Sequence, residues 1–407
     1  MFDAVIVGAR CGGASLAMLL ARRGQKVLML DAAKFPSDKV TSTHFIWQSG
    51  VACLKRWGLI EKLEATNCPS HDSYVLDLGG LELRGAVTPH SDAVTTSYAP
   101  RRHVLDNLLV EEAVAAGVEF LDGCRVLELT KDGDRVTGLR YRSKDDETVE
   151  VAAKIVVGAD GITSTIAELA GAETYNYHEK SQQIFFSYFK DPSFKDVEFY
   201  SRPGRMGFAW QSNDDQVVAG FCCRGEDAEK MASDVTGSYW SELEAMSPEF
   251  CARLKAAEQL EPVRTGGTPS FMRTAGGAGW ALIGDAGLNM DPVTASGISN
   301  AFIQAEMLCD AIVDGIASDT LDEQSAAFGP KRDEFFMPYF AFTADLARLD
   351  PNVPDEVMQL FMSLPGQQDD IDAYFGVFAQ TVPVMEFFHP DNVGRIVSNA
   401  AAQPAMS

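Results

Sequence analysis

The stretch Gly8-Ala9-Arg10-Cys11-Gly12-Gly13 constrains this chain more than any other part of it. It follows the apolar run Ala4-Val5-Ile6-Val7 and opens an apolar-rich stretch from Ala14 to Arg23 that Gly24 closes. Lys26 to Leu30 then forms a second apolar strand ending at Asp31. The pattern predicts a complete βαβ unit. A glycine turn between strand and helix gathers free backbone N–H groups and the positive end of a helix dipole at one point, which favours a pyrophosphate there. Asp31 closes the second strand, where a carboxylate accepts hydrogen bonds from ribose hydroxyls. A tight turn of any α/β protein would account for the glycines alone, and the acidic residue tips the reading towards a dinucleotide. Arg10 stands where the fingerprint's second glycine usually sits, so its side chain either points away or joins the site.

With 407 residues the chain has room for two domains or a little more. Its 34 basic against 58 acidic side chains give a formal charge of −24, so a phosphate backbone or an anionic membrane surface is repelled rather than collected. No apolar run approaches the roughly 18 to 20 residues that span a bilayer, and the first strand starts too early to leave room for a signal peptide. A cytoplasmic protein is the expectation. Its 8 cysteines are scattered without a Cys-x-x-Cys pair or a neighbouring histidine cluster, which argues for buried free thiols over a zinc site or a disulfide framework.

Ser49 to Ala65 and Val104 to Ala116 carry helical apolar spacing, while Ser73 to Tyr98 reads as short strands broken at Gly79-Gly80. Arg125 to Leu129 and Arg135 to Arg142 flank a Lys131-Asp132-Gly133-Asp134 turn, a strong hairpin signal. Ser181 to Cys223 is strand-rich, and Glu226 to Ala257 reads as helix followed by a connection. From Lys331 the chain is largely helical and rich in Phe and Met, and Ala400 to Ser407 reads as a frayed tail.

Two further segments carry chemistry. Ile155-Val156-Val157-Gly158 is an apolar strand delivering the turn Ala159-Asp160-Gly161, followed by Ser164. Ala281-Leu282-Ile283 delivers Gly284-Asp285-Ala286-Gly287, and then come Asp291-Pro292 and a helix starting near Gly297-Ile298-Ser299-Asn300. Asp285 is suited to bind polyol hydroxyls, and the helix start after Gly297 to place backbone N–H groups beside a developing anion.

These three segments, in this order and at these separations, resemble the FAD-dependent aromatic hydroxylases, the class A flavoprotein monooxygenases with their geranylgeranyl reductase and halogenase relatives. The resemblance runs from Asp3 to about Asp314. It implies an α/β fold: a Rossmann-like FAD-binding domain of glutathione reductase type, an inserted β-sheet substrate domain and a helical C-terminal region. On this reading residues 1–72, 100–178 and 275–330 bind FAD, 73–99 and 179–274 form the substrate sheet, and 331–407 form the helical region. The family's cofactor-binding positions fall on Gly8, Gly12, Gly13, Asp31, Asp160, Gly161, Gly284 and Asp285. An arginine at the start of the helix after the sheet region touches the cofactor, which makes Arg101 or Arg102 the candidate, and His44 stands where a basic residue often approaches the pyrophosphate. Pro292 would lie close to the flavin edge, and N–H groups near Gly297, Ile298 and Ser299 would stabilise negative charge at the flavin. Asp291 departs from the hydroxylases, which usually carry an apolar residue or proline there.

The resemblance implies that NAD(P)H reduces the flavin, that oxygen adds at C4a, and that the hydroperoxide's terminal oxygen passes to an electron-rich substrate. No second glycine-rich fingerprint for NAD(P)H is present, which is normal in the hydroxylases and also fits a protein supplied with reduced flavin by a separate reductase. An apolar or aromatic small molecule is the expected substrate, with Phe185, Phe208 and Trp210 as pocket residues. His103, Tyr98 and Tyr188 are candidates to deprotonate or orient a phenol, though each type is more often structural, and no catalytic acid or base is assigned. The nearest alternative is an ene-reductase of geranylgeranyl reductase type. Gly207-Phe208-Ala209-Trp210-Gln211-Ser212 resembles the aromatic-x-Trp pattern of those reductases, without the Phe-Pro that follows it there. A flavin halogenase is the lesser alternative, since the Trp-x-Trp-x-Ile-Pro signature is only half present and no lysine is identifiable as the chloramine former. A flavin-binding sensor is the non-enzyme alternative.

Overall fold

The computed structural model describes residues 1–191 and 193–402. Its first sheet is built as the glycine turn predicts. Phe2–Val7 lies at the centre, paired in parallel with Val27–Leu30 on one side and with Thr148–Gly158 on the other. Glu119–Leu121 and Trp280–Leu282 extend the parallel sheet outward on those two sides. The strands are apolar along nearly their whole length because helices and the hairpin cover both faces. All four residues of Val27–Leu30 are buried. The hairpin expected around Gly133 is present as Arg125–Asp132 and Arg135–Arg142, and its second strand pairs with the early part of Thr148–Gly158.

A second sheet takes the order Glu258–Gln259, Gln182–Lys190, Gln216–Arg224, Arg205–Gln211, Val197–Arg202, Tyr74–Asp77, Glu82–Gly85, with Arg264–Gly266 also paired to Gln182–Lys190. Period-two alternation divides its side chains cleanly. Phe185, Phe189 and Phe221 face three helices, Gly225–Met231, Val235–Met246 and Pro248–Ala256. Ile184, Phe186, Tyr188, Phe208 and Trp210 face the other way, into a core shared with Phe45, Trp47, Phe375 and Phe378.

Several expected boundaries shift. Ser270–Arg273, expected in the substrate sheet, pairs instead with Thr174–His178 and Leu288–Asn289 in a separate three-stranded sheet. Ser49 to Ala65 splits into Gln48–Arg56 and Ile60–Glu64 across Gly58, whose φ of +73° ends the first helix. The C-terminal helices begin earlier than Lys331, because Leu321–Leu346 is one helix that accommodates both Pro330 and Pro338. Of the expected tail, Ala400 to Ala402 close a helix, Pro390–Ala402, while residues 403–407 lie outside the described residues. All eight cysteines are free and buried. Among the described residues no helix is long and apolar enough to cross a membrane.

Candidate functional site

The three motifs meet at the glycine turn. Gly8 adopts φ +103°, and a Cβ there would stand 2.3 Å from the Ala159 carbonyl oxygen of the second motif. A Cβ on Gly13 would stand 1.8 Å from the Gly8 carbonyl oxygen, so only a bare α-carbon lets the helix approach the strand this closely. Gly12 faces Ile283 of the third motif, its Cβ position 3.5 Å from that side chain. The helix Cys11–Arg22 begins here with no side chain capping it, which leaves the N–H groups of its first turn to an outside acceptor. Asp31 fixes the turn from the next strand, its Oδ2 accepting the Ala9 N–H at 2.7 Å and its Oδ1 the Ala33 N–H at 2.8 Å. Each carboxylate oxygen keeps a lone pair for a further donor.

The guanidinium of Arg10 donates to Asp106 at 2.7 Å and to Ser37 at 2.9 Å, which ties it to the segments flanking the glycine turn. Arg102 joins the same cluster, reaching buried Asp106 at 3.0 and 3.1 Å, and the Cys11 thiol donates to that carboxylate at 3.2 Å. The positive charge of Arg102 also bears on Asp285. Asp285 reaches solvent yet is crowded by protein, and this partial desolvation raises its carboxyl above the ordinary value against the pull of Arg102 and Lys39. Arg101 points elsewhere. It donates to Gln216 at 2.8 Å and Glu261 at 2.7 Å, and its guanidinium sits 3.9 Å over the Tyr188 ring. Of the two candidate arginines, Arg102 faces the motif cluster and Arg101 ties the connecting segment to the second sheet.

His44 is withdrawn from any phosphate. Its Nδ1 lies 3.0 Å from the Ala99 carbonyl, which can only accept, so Nδ1 carries the hydrogen and Nε2 accepts the Tyr188 hydroxyl at 2.9 Å. Burial, helped by the Arg101 charge, holds its pKa well below the ordinary histidine value and keeps the ring neutral. With both nitrogens committed to protein partners, the expected pyrophosphate contact has no atom to make it.

Asp160 accepts the Ser164 hydroxyl at 2.5 Å and the Ile166 N–H at 3.2 Å, so it supports the start of the helix Thr165–Ala170, and Gly161 beside it takes φ +80°. Burial raises the Asp160 carboxyl. Two arginines that sequence reasoning missed hold the turns together. Arg273 donates to the Ala286 carbonyl at 2.9 Å and to the Ile162 carbonyl at 3.0 Å, bridging the second and third motifs. Arg332, with no exposed surface, donates to Gly287 at 3.0 Å and to the Arg273 carbonyl at 2.9 Å. A lone arginine between Pro330 and an aromatic run was the only sequence signal for it.

Beyond the third motif, Pro292–Thr294 forms a single 3-10 turn, Ala295 takes φ +52°, and the helix Gly297–Ser318 begins without a side-chain cap. Gly297 is exposed and Ile298 buried. The Ser299 hydroxyl accepts the Trp47 N–H at 3.0 Å, and the residue is fully buried in the first turn of this helix. Pro292, Val293 and Ala295 form one wall of a cavity of about 10 Å³, and Phe208, Trp210, Phe199, Met206, Ile184, Cys222 and Thr43 form the rest. Phe208 and Trp210, expected as pocket residues, line this small cavity. Phe185 does not. It stacks on Phe221 with ring centroids 5.2 Å apart on the opposite face of the sheet, because its neighbours Ile184 and Phe186 take the cavity-side register.

Residues 1–324 match the FAD binding domain family. The chain belongs to that family. Among curated relatives, 6-methylpretetramide 4-monooxygenase of Streptomyces rimosus is 25% identical over 334 residues, 79% of this chain and 78% of the relative. Digeranylgeranylglycerophospholipid reductase 2 of Methanococcoides burtonii is 28% identical over 339 residues, covering 79% and 78%. A solved flavin-dependent brominase superposes with a TM-score of 0.78 over 99% of this chain and 100% of its own, at 19% identity, and shares the fold. This member of the FAD-binding family is thus an oxidoreductase of the monooxygenase and reductase superfamily.

Proposed function

We propose that the protein is an FAD-dependent monooxygenase that uses NAD(P)H and dioxygen to oxidise a small, aromatic molecule. The observation that supports this reading best is the apolar, aromatic surface of Phe208 and Trp210 facing the Pro292 turn, in a chain of the FAD binding domain family. The residues present fit FAD. The Gly13 cradle admits no Cβ, two uncapped helix starts offer N–H donors, and the positive charge of Arg102 bears on Asp285 of the third motif. On this assignment the turn at Gly8, Gly12 and Gly13 takes the pyrophosphate, Asp31 the adenosine ribose and Asp285 the ribityl hydroxyls, with Asp160 and Gly161 supporting the turn. Backbone N–H groups at Gly297, Ile298 and Ser299 would stabilise negative charge on the ring system. When bound and reduced, FAD supplies the activation of dioxygen.

The chain's own work is to bind, aim and exclude water. Trp210 is fixed for this, its indole N–H donating to the Thr43 carbonyl at 3.1 Å and its ring stacked on Phe208 with centroids 4.8 Å apart. The cavity holds about one water, so an aromatic substrate must displace part of the lining, and Met206, unbranched and rotatable, is the wall residue best suited to move. Trp210→Ala should raise hydrogen peroxide release per NAD(P)H consumed, because water then reaches the oxygen chemistry, while Trp210→Phe should stay close to wild type. Equal peroxide yields in all three proteins would remove Trp210 from the pocket.

Arg102→Ala should weaken FAD binding by about 10- to 100-fold, the worth of a charge-assisted hydrogen bond. Arg101→Ala should leave FAD affinity unchanged and lower the melting temperature through the lost Glu261 contact. A flavin titration showing the reverse order would overturn the assignment of the two arginines. The reaction itself is tested with labelled dioxygen, one labelled atom being expected in the product. An unlabelled product that has gained two hydrogens would establish the ene-reductase instead, and a halogenated product would establish the halogenase. The lining residues include no lysine, which favours the first outcome over the third. Reduction by NAD(P)H alone would also separate a self-sufficient enzyme from one served by a separate flavin reductase.

A further inference from the structure

Asp291 is a buried carboxyl group directly behind the Pro292 wall of the cavity, 3% exposed. Its Oδ1 accepts the Gln182 amide at 2.6 Å and the Val293 N–H at 3.0 Å, while its backbone N–H donates to the Ser270 hydroxyl at 2.9 Å. Oδ2 receives no hydrogen bond from the described residues and carries part of the side chain's small remaining exposure. The side chains that face it come from three strands: Gln182 from Gln182–Lys190, Ser270 from Ser270–Arg273 and Cys222 from Gln216–Arg224. Only Cys222 among them titrates, and burial raises its thiol so far that it stays neutral. No cation among the described residues opposes the carboxylate. Two hydrogen bonds on one oxygen do not offset the removal of a charge from water, so the remaining oxygen is the natural seat of a proton. Desolvation accordingly pushes this carboxyl up to about 7.

We propose that Asp291 is a positioning residue whose proton on Oδ2 sets the charge behind the Pro292 turn, and through it the electron affinity of a flavin held against that turn. The inference rests on the FAD assignment proposed above. With the proton in place the turn is neutral and a bound flavin accepts electrons more readily. Loss of the proton puts a negative charge on the cavity wall, weakly screened by its apolar lining, and makes flavin reduction harder. Gln182 tunes the switch, because its amide donates to the oxygen of the charged form and favours ionisation.

The test is a redox titration of the FAD-loaded protein between pH 5.5 and 8.5 in wild type and in Asp291→Asn, which keeps the acceptor for Gln182 and Val293 but carries no charge. The two potentials should coincide at the acid end and diverge above neutrality, wild type falling lower. Gln182→Leu should move the point of divergence to higher pH. Ligand-free protein gives a second readout. An unfolded aspartate ionises near 3.9, so between about pH 4 and 7 the folded state binds the additional proton, and wild-type stability should fall with rising pH across that window and level off above it. Asp291→Asn should lack that component. Parallel potential curves in a yellow protein, or identical stability slopes, would overturn the proposal alone. A chain that binds no FAD would overturn the cofactor assignment and take the proposal with it.

Discussion

Gly13→Val should give a colourless protein whose affinity for added FAD is lost while its circular dichroism stays near wild type. The Cβ would stand 1.8 Å from the Gly8 carbonyl oxygen and 3.1 Å from the Ala159 side chain, and the first of these is backbone that cannot swing aside. The helix Cys11–Arg22 must therefore back away from the strand Phe2–Val7. Its first-turn N–H groups leave the point where the pyrophosphate is proposed to lie, and a displacement of about 1 Å is enough to forfeit contacts of this kind. The rest of the helix is held by its packing against Gly297–Ser318 and Arg102–Ala115, which is why the fold should persist. Flavin content after purification and a titration with FAD measure the effect. Full flavin content in this variant would show that the glycine turn is only a turn.

Arg332→Met should produce the largest loss of stability of any variant considered, about 3 to 5 kcal/mol, because it strips a charged partner from a buried network. The guanidinium has no exposed surface and donates to the carbonyls of Gly287 and Arg273, to the Tyr175 hydroxyl and to Asp333. A thioether replaces none of these donors. Two carbonyls lose a buried partner, Asp333 loses its cation, and the turn that carries Asp285 loses its tether to the C-terminal helix. Denaturant unfolding should show the loss at unchanged slope, and FAD should dissociate at lower denaturant than the fold does. A stability within about 1 kcal/mol of wild type would mean that the network is redundant, which its geometry does not allow.

The first sheet was legible because three of its parallel strands end in a glycine with a special backbone role. Gly8, Gly158 and the Ile283-Gly284 step mark where parallel strands deliver turns, and a parallel sheet brings such strand ends to one edge. Arg101 and Arg102 could not be told apart in sequence, since neighbouring residues at a helix start point in different directions and only the partners decide: Glu261 for one, Asp106 for the other. His44 failed as a phosphate contact for a comparable reason. Its partners, Ala99 and Tyr188, come from segments that no local pattern links to it. Phe185 failed by one step of register, since period-two alternation fixes which residues share a face but not which face meets the cavity.

The sequence by itself determined the βαβ opening, the three turns and the acidic residues at strand ends, because glycine conformations and apolar periodicity are local properties of the backbone. The cofactor family was legible in those same turns. Only the tertiary structure decided that Arg273 and Arg332 bind the turns to one another, that Phe208 and Trp210 oppose Pro292, and that Asp291 is buried with no cation beside it among the described residues. Those outcomes depend on the partners supplied by distant segments and on the water they exclude, and neither burial nor charge pairing is a property that a residue carries alone.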